Sequence, residues 1–164
     1  MPKLGLSTSS SPVITSAGPQ LTRQYVYQSD FSEDADGWSF QVNGTWTTEA
    51  GVTYEGKNNV LKFTSVAGFY DVLLRSPSIA FEGETYTAEA EIYVPTDGTG
   101  TKLSIGSLAF QSGTPTADQW STISVSFTTS STYGLAFYVK DPENDQAVNA
   151  FTGYIASVKV YYMG

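Results

Sequence analysis

Gly153-Tyr154-Ile155-Ala156-Ser157-Val158-Lys159-Val160-Tyr161-Tyr162 is the stretch on which the reading of this chain turns. It is rich in β-branched and aromatic residues, has no helical spacing and is bounded by glycine, so it reads as a strand. Its partner is expected near the other end, in residues 25–40, which open on Tyr25-Val26-Tyr27. Between the two lie only strand-like runs and turns. A chain whose first and last strands meet in this way closes into a sandwich.

Outward from that stretch, the clearest alternation covers residues 86–94. Tyr86, Ala88, Ala90, Ile92 and Val94 point one way, and Thr87, Glu89, Glu91 and Tyr93 the other, so one face is core and one is wet. Trp120 starts a run with Ile123, Val125 and Phe127 on its core face, and residues 133–140 carry Leu135, Phe137 and Val139. Trp38, Phe40 and Val42 share a face, as do Tyr70, Val72 and Leu74. Shorter strands are expected at 45–48, 52–54 and 60–64, and residues 102–110 read as a strand pair or one strand bent at Gly106. Asp36-Gly37, Asn43-Gly44, Gly83-Glu84 and Asp97-Gly98 punctuate the series. Eight to ten short strands with turns every 8–12 residues predict an all-β, jelly-roll β-sandwich.

The chain has 164 residues, enough for one domain that buries roughly 70% of its unfolded surface. It contains no Cys and no His, which removes thiolate metal sites, disulfides and every nucleophile that relies on imidazole. Sixteen acidic against eight basic residues give a net charge of −8, unfavourable to nucleic acid and to anionic membrane. No apolar run approaches the roughly 18 residues that span a bilayer, and residues 1–7 lack a secretory apolar core. The low charged fraction, 15%, with 11 Tyr and much Ser and Thr, is the composition of an extracellular-type β protein.

Residues 1–24 are expected to form an extended docking arm and residues 25–164 the sandwich. Ser7-Thr8-Ser9-Ser10-Ser11-Pro12 cannot build a core of its own. Leu4, Leu6, Val13 and Ile14 are its apolar anchors, suited to adding a strand to a sheet edge. Asp30, Glu33, Asp34 and Asp36 make either a solvated acidic loop or a calcium-binding one; the EF-hand pattern is absent.

Four motifs in order, Asp36-Gly37-Trp38, Gly83-Glu84-Thr85-Tyr86, Trp120-Ser121-Thr122-Ile123 and Tyr154-Ile155-Ala156-Ser157-Val158, resemble those of the jelly-roll carbohydrate-binding modules, the galactose-binding-like group. The resemblance covers about residues 25–162 and implies fold more than ligand. In that family, acids after the first strand and in the last strand help hold a structural calcium. Ser32, Ala156 and Ser157 stand in their places here, so the resemblance implies that this site is lost. It also implies that Trp38 and Trp120 pack in the core, and that a ligand lies on the outward face of one concave sheet. The residues so placed are Asp71, Arg75, Glu89, Glu91, Tyr93 and Tyr138, with Trp46 or Phe69 at the rim. Aromatic platforms flanked by polar groups suit sugars. The plainer reading is a solvated face on which Arg75 pairs with Glu89 or Glu91. These two glutamates stand about 6.5–7 Å apart, a spacing common to any i,i+2 pair on a strand and therefore no mark of a glycosidase.

The sequence thus predicts a non-enzymatic protein with no cofactor and no resident metal. The function expected is that of a phage virion accessory protein, a capsid decoration or a head or tail fibre component. Such a protein is made in the host cytoplasm and acts outside. Residues 1–24 contact virion proteins, the jelly roll faces outward and binds a cell-surface or environmental glycan, and the protein is a homo-oligomer that neither inserts in membranes nor binds nucleic acid. The alternatives are a carbohydrate-binding module of a secreted polysaccharide-degrading system and a structural subunit with no ligand.

Overall fold

The computed structural model describes residues 20–40, 47–64, 72–96, 102–105, 115–139 and 152–164. Twelve strands are present among them: β1 (Arg23–Ser29), β2 (Ser39–Phe40), β3 (Thr47–Tyr54), β4 (Lys57–Thr64), β5 (Val72–Arg75), β6 (Ile79–Ala80), β7 (Thr85–Val94), β8 (Lys102–Ile105), β9 (Gln119–Thr128), β10 (Thr132–Tyr133), β11 (Leu135–Val139) and β12 (Thr152–Met163). One sheet has the order β3-β4-β12-β7-β9, with β1 also paired to β12; a second has the order β2-β5-β11-β8; β6 and β10 form a small ribbon. The architecture is the expected all-β sandwich.

The two ends meet as the sequence predicts. β12 pairs antiparallel with β4 over residues 152–155 and with β1 over residues 158–163. Thr22 and Gly164 then exchange backbone hydrogen bonds of 2.9 and 3.1 Å. β1 begins at Arg23, inside the segment assigned to the arm, so the sheet starts slightly earlier than the boundary at residue 25. Leu4, Leu6, Val13 and Ile14 lie outside the described residues. Residues 47–54 form one strand rather than two short ones, and its register with β4 shifts twice.

The core follows from alternation. Tyr86, Ala88, Ala90, Ile92 and Val94 of β7 are all buried, as are Ile123, Val125 and Phe127 of β9, Leu61 and Phe63 of β4, and Leu135 and Phe137 of β11. In β12 the register with β7 slips between Ile155 and Ser157, a bulge that lets Ile155 and Val158 both face inward. Val160 continues that inward set, and Tyr162 packs against the core.

The acidic loop after β1 is stapled by its own carboxylates. Asp36 accepts hydrogen bonds from the Ser29 hydroxyl at 2.5 Å and the Phe31 amide at 3.2 Å. Asp34 accepts from the Asp36 amide at 2.6 Å. Asp30 accepts from the Ser32 amide and hydroxyl, which together hold its carboxyl below the usual range. These contacts fix a turn that passes through positive φ at Phe31, Asp36 and Gly37 and delivers Trp38 into the core. Among the described residues, no group of three acids is placed to hold a metal ion.

Candidate functional site

β12 is the central strand of the six-stranded sheet and β7 lies between it and the edge strand β9, so the outward residues of these three strands form one continuous solvent face. Register builds the face in rows. Tyr154, Tyr93 and Trp120 stand side by side on β12, β7 and β9. Ser157, Glu91 and Thr122 come next, then Lys159, Glu89 and Ser124, then Tyr161, Thr87 and Ser126. On β7 and β9 each row is two residues from the last, about 7 Å along the strand, while the β12 bulge makes the step from Tyr154 to Ser157 three residues. Two polar rows are therefore bounded by an aromatic row at one end and by Tyr161 at the other.

The aromatic row is a packed wall. The Tyr54 ring stacks on Tyr154 at 3.6 Å, and Tyr93 meets Tyr54 and Trp120 edge-on at 5.0 and 5.7 Å. The β3–β4 turn, with positive φ at Glu55 and Gly56, folds across the sheet to reach it. There the Glu55 carbonyl accepts from the Trp120 indole at 3.2 Å, and the Lys57 ammonium lies 5.4 Å from the centre of the Trp120 ring. Hydrogen bonding with Tyr54, and then burial, push the Tyr93 hydroxyl up to about 12. Tyr93 is therefore a neutral hydrogen-bonding group throughout the physiological range.

The polar rows carry both glutamates, each already charge-paired. Glu91 binds Lys57 at 2.7 Å, and Glu89 binds Arg23 at 3.3 Å while accepting from the Tyr161 hydroxyl at 2.7 Å. Arg23 also lies 4.3 Å from the centre of the Tyr161 ring. Burial first, and then its bond to Glu89, raise the Tyr161 hydroxyl above the ordinary tyrosine value. A shallow depression of about 160 Å³ is lined by Glu89, Ala90, Glu91, Thr122, Ser157 and Lys159. A neighbouring one of about 220 Å³ shares Ser157 and Lys159 and is bordered by Gln28, Ser29, Asp30 and Asp36. Lys159 makes no ion pair with any described residue and stands between the two. Carboxylate, hydroxyl and ammonium groups in one open trough present both acceptors and donors, the requirement of a polyol.

The predicted site is only partly assembled. Glu89, Glu91 and Tyr93 do share one face. Arg75 on β5 and Tyr138 on β11 belong to the four-stranded sheet, paired with Ala136 and Leu73 respectively, so one concave sheet does not carry the whole set. Among the described side chains, Glu89 pairs with Arg23 and Glu91 with Lys57. Trp46, Phe69 and Asp71 lie outside the described residues. Trp120 is corrected from core to outer face, whereas Trp38 is buried as expected. Tyr54, Lys57, Trp120, Tyr154, Ser157 and Lys159 were not foreseen. The parity of β9 was signal enough for Trp120, because with Ile123, Val125 and Phe127 inward an even-numbered residue points out.

No protein-family model matches this chain, and no curated protein matches it. Solved structures do. The CBM22-1 and GH10 modules of Clostridium thermocellum endo-1,4-β-D-xylanase 10B, complexed with xylohexaose, superpose with a TM-score of 0.61 at 15% identity, covering 85% of this chain and 28% of that one. The CBM22-1–CBM22-2 tandem of Paenibacillus barcinonensis Xyn10C gives 0.57 at 12% identity, covering 90% of this chain and 49% of that one. The K1 adhesin domain of the Lys-gingipain of Porphyromonas gingivalis gives 0.57 at 12% identity, covering 84% and 98%. This chain therefore spans well under two thirds of the two xylanase structures. At these identities the likeness establishes the fold: a jelly roll of the kind seen in carbohydrate-binding modules.

Proposed function

We propose that this domain is a non-catalytic glycan-binding module whose ligand lies across the outward face of β12, β7 and β9. The observation that carries the reading is the trough of Glu89, Glu91, Ser157, Lys159 and Thr122 between two aromatic ends. Its depth supports recognition rather than catalysis. About 160 Å³ is below the roughly 300–1,000 Å³ of pockets that engulf a small molecule. Both glutamates are already engaged in ion pairs, Glu91 with Lys57 and Glu89 with Arg23.

The test is retention of the full chain in affinity gels containing soluble polysaccharides, preceded by a glycan array. Glu91→Gln and Lys159→Ala are each expected to weaken retention by about tenfold, the effect of one charged hydrogen bond. Arg75→Ala and Tyr138→Ala probe the other sheet. Retention lost only in that second pair moves the site to the four-stranded sheet, and no retention of the unaltered chain overturns the glycan reading.

As the setting we propose a virion accessory protein, docked through residues 1–24 with the jelly roll outward. The support is the Ser-rich arm with apolar Leu4, Leu6, Val13 and Ile14, joined to a surface-type β domain. Deleting residues 1–20 is expected to abolish incorporation into particles while the domain still folds; unchanged incorporation refutes it. The runner-up is a module of a secreted polysaccharide-degrading system, favoured by the two xylanase structures above. Under that reading the deletion leaves polysaccharide retention, and the protein's location, unchanged.

A further inference from the structure

The two long edges of the six-stranded sheet are built differently. β3 shifts register with β4 twice and carries Glu49 and Gly51. Such irregularities and charges blunt an edge against pairing with another chain. β9 has none of them. Gln119-Trp120-Ser121-Thr122-Ile123-Ser124-Val125-Ser126-Phe127-Thr128 contains no charge, no proline and no glycine. Its register with β7 runs unbroken through ten pairs. Among the described residues β7 is its only sheet neighbour, and no described strand takes the backbone donors and acceptors on its other side.

The side chains of β9 also match a copy of themselves. We infer that β9 pairs antiparallel with β9 of a second copy, about a two-fold axis normal to the sheet at Ser124. That centre overlaps residues 120–128 and keeps core faces together; a centre at Ile123 overlaps as many residues but sets Gln119 against Phe127. On the outer side Ser124 then faces Ser124, Thr122 faces Ser126 and Trp120 faces Thr128. On the inner side Ile123 faces Val125 and Ser121 faces Phe127. Ile123, Val125 and Phe127 retain 4, 7 and 4% exposure, against 0–1% for Tyr86, Ala88, Ala90, Ile92 and Val94 on neighbouring β7, so a further strand has apolar edge left to cover. No like charges meet in these pairs, which matters for a chain of net charge −8.

The resulting sheet has twelve strands, six from each copy, and both troughs open on the same side. Where the glycan reading holds, the pair is bivalent toward a repeating polymer, with the gain in avidity that linkage brings. The association itself does not depend on that reading.

Sedimentation equilibrium of the full chain over a wide concentration range is the test. The unaltered protein is expected to move from monomer to dimer mass. Ser124→Lys and Ser124→Glu each set like charges face to face and are expected to raise the dissociation constant at least about tenfold. An equimolar mixture of the two variants is expected to recover dimer, because Lys then faces Glu. Amide exchange within residues 119–128 of the unaltered protein slows as concentration rises, a readout that needs no variant. A monomer at every concentration overturns the inference. So does a dimer that survives both substitutions, or one that forms without protection of β9.

Discussion

Gly153→Ala is expected to lower stability by about 2–3 kcal/mol, the upper part of the range for forcing atoms into a packed core. Gly153 is buried in β12 and pairs directly with Phe63 of β4. A Cβ placed there would overlap the tip of the Phe63 ring at Cζ, and lie 2.7 and 3.0 Å from its Cε1 and Cε2. A ring at the surface would swing away, but Phe63 is 1% exposed and belongs to the central cluster. The opposing effect is small: alanine restricts the unfolded chain more than glycine, a gain of about 0.4–1 kcal/mol where the native backbone tolerates it. Overlap therefore wins. Urea unfolding followed by tryptophan fluorescence measures the loss. A second substitution, Phe63→Leu, removes the overlapping ring tip. In a double-mutant cycle the pair is expected to be less destabilising than the sum of the two singles. Additive losses would show that the ring is not what Gly153 accommodates.

The same contact shows how far the sequence could be read. Glycine opening the last strand was visible, and so was the strand. That the glycine leaves room for a ring depends on a partner some ninety residues away, which no local pattern names. Alternation decides in from out and did so correctly for 86–94, where Glu89, Glu91 and Tyr93 emerge on the wet face. It does not decide which sheet a strand joins. The family resemblance placed Arg75 and Glu89 on one surface, yet β5 and β7 lie in different sheets. Trp120 is the converse. Its own strand's parity put it outside, and family resemblance outweighed that parity, wrongly. The trough's cations were illegible for a third reason. Lys57 reaches Glu91 only because the β3–β4 turn folds over the sheet, and Arg23 reaches Glu89 only because β1 docks beside β12. Pairing between distant segments creates the site, while local sequence supplies its parts.

Trp38→Ala is expected to be the most damaging single change at the join between the chain's opening segment and the core, at about 3–5 kcal/mol. Trp38 is 3% exposed, and its ring lies 5.3 Å from Phe137 of β11. Its indole N–H donates to the Tyr27 hydroxyl on β1 at 2.8 Å. One side chain thus links the strand that closes against β12 to the interior of the opposite sheet. Its position is set by the acidic loop, whose last turn is closed by the Trp38 amide on the Ala35 carbonyl at 2.8 Å. Truncation removes a large buried ring and takes the indole donor from Tyr27, whose hydroxyl is raised above its ordinary value chiefly by burial. The two losses separate with Trp38→Phe, which keeps most of the packing and loses the donor. Since one hydrogen bond contributes about 1 kcal/mol net, the phenylalanine variant is expected to recover the greater part of the alanine loss. Tyr27→Phe in the Trp38→Phe background is then expected to cost little more, because the tyrosine has already lost the indole and its other partner, the Ser29 hydroxyl, keeps its bond to Asp36. Equal losses for Trp38→Ala and Trp38→Phe would instead make the indole–tyrosine bond, and not the ring's volume, what joins the first strand to the core.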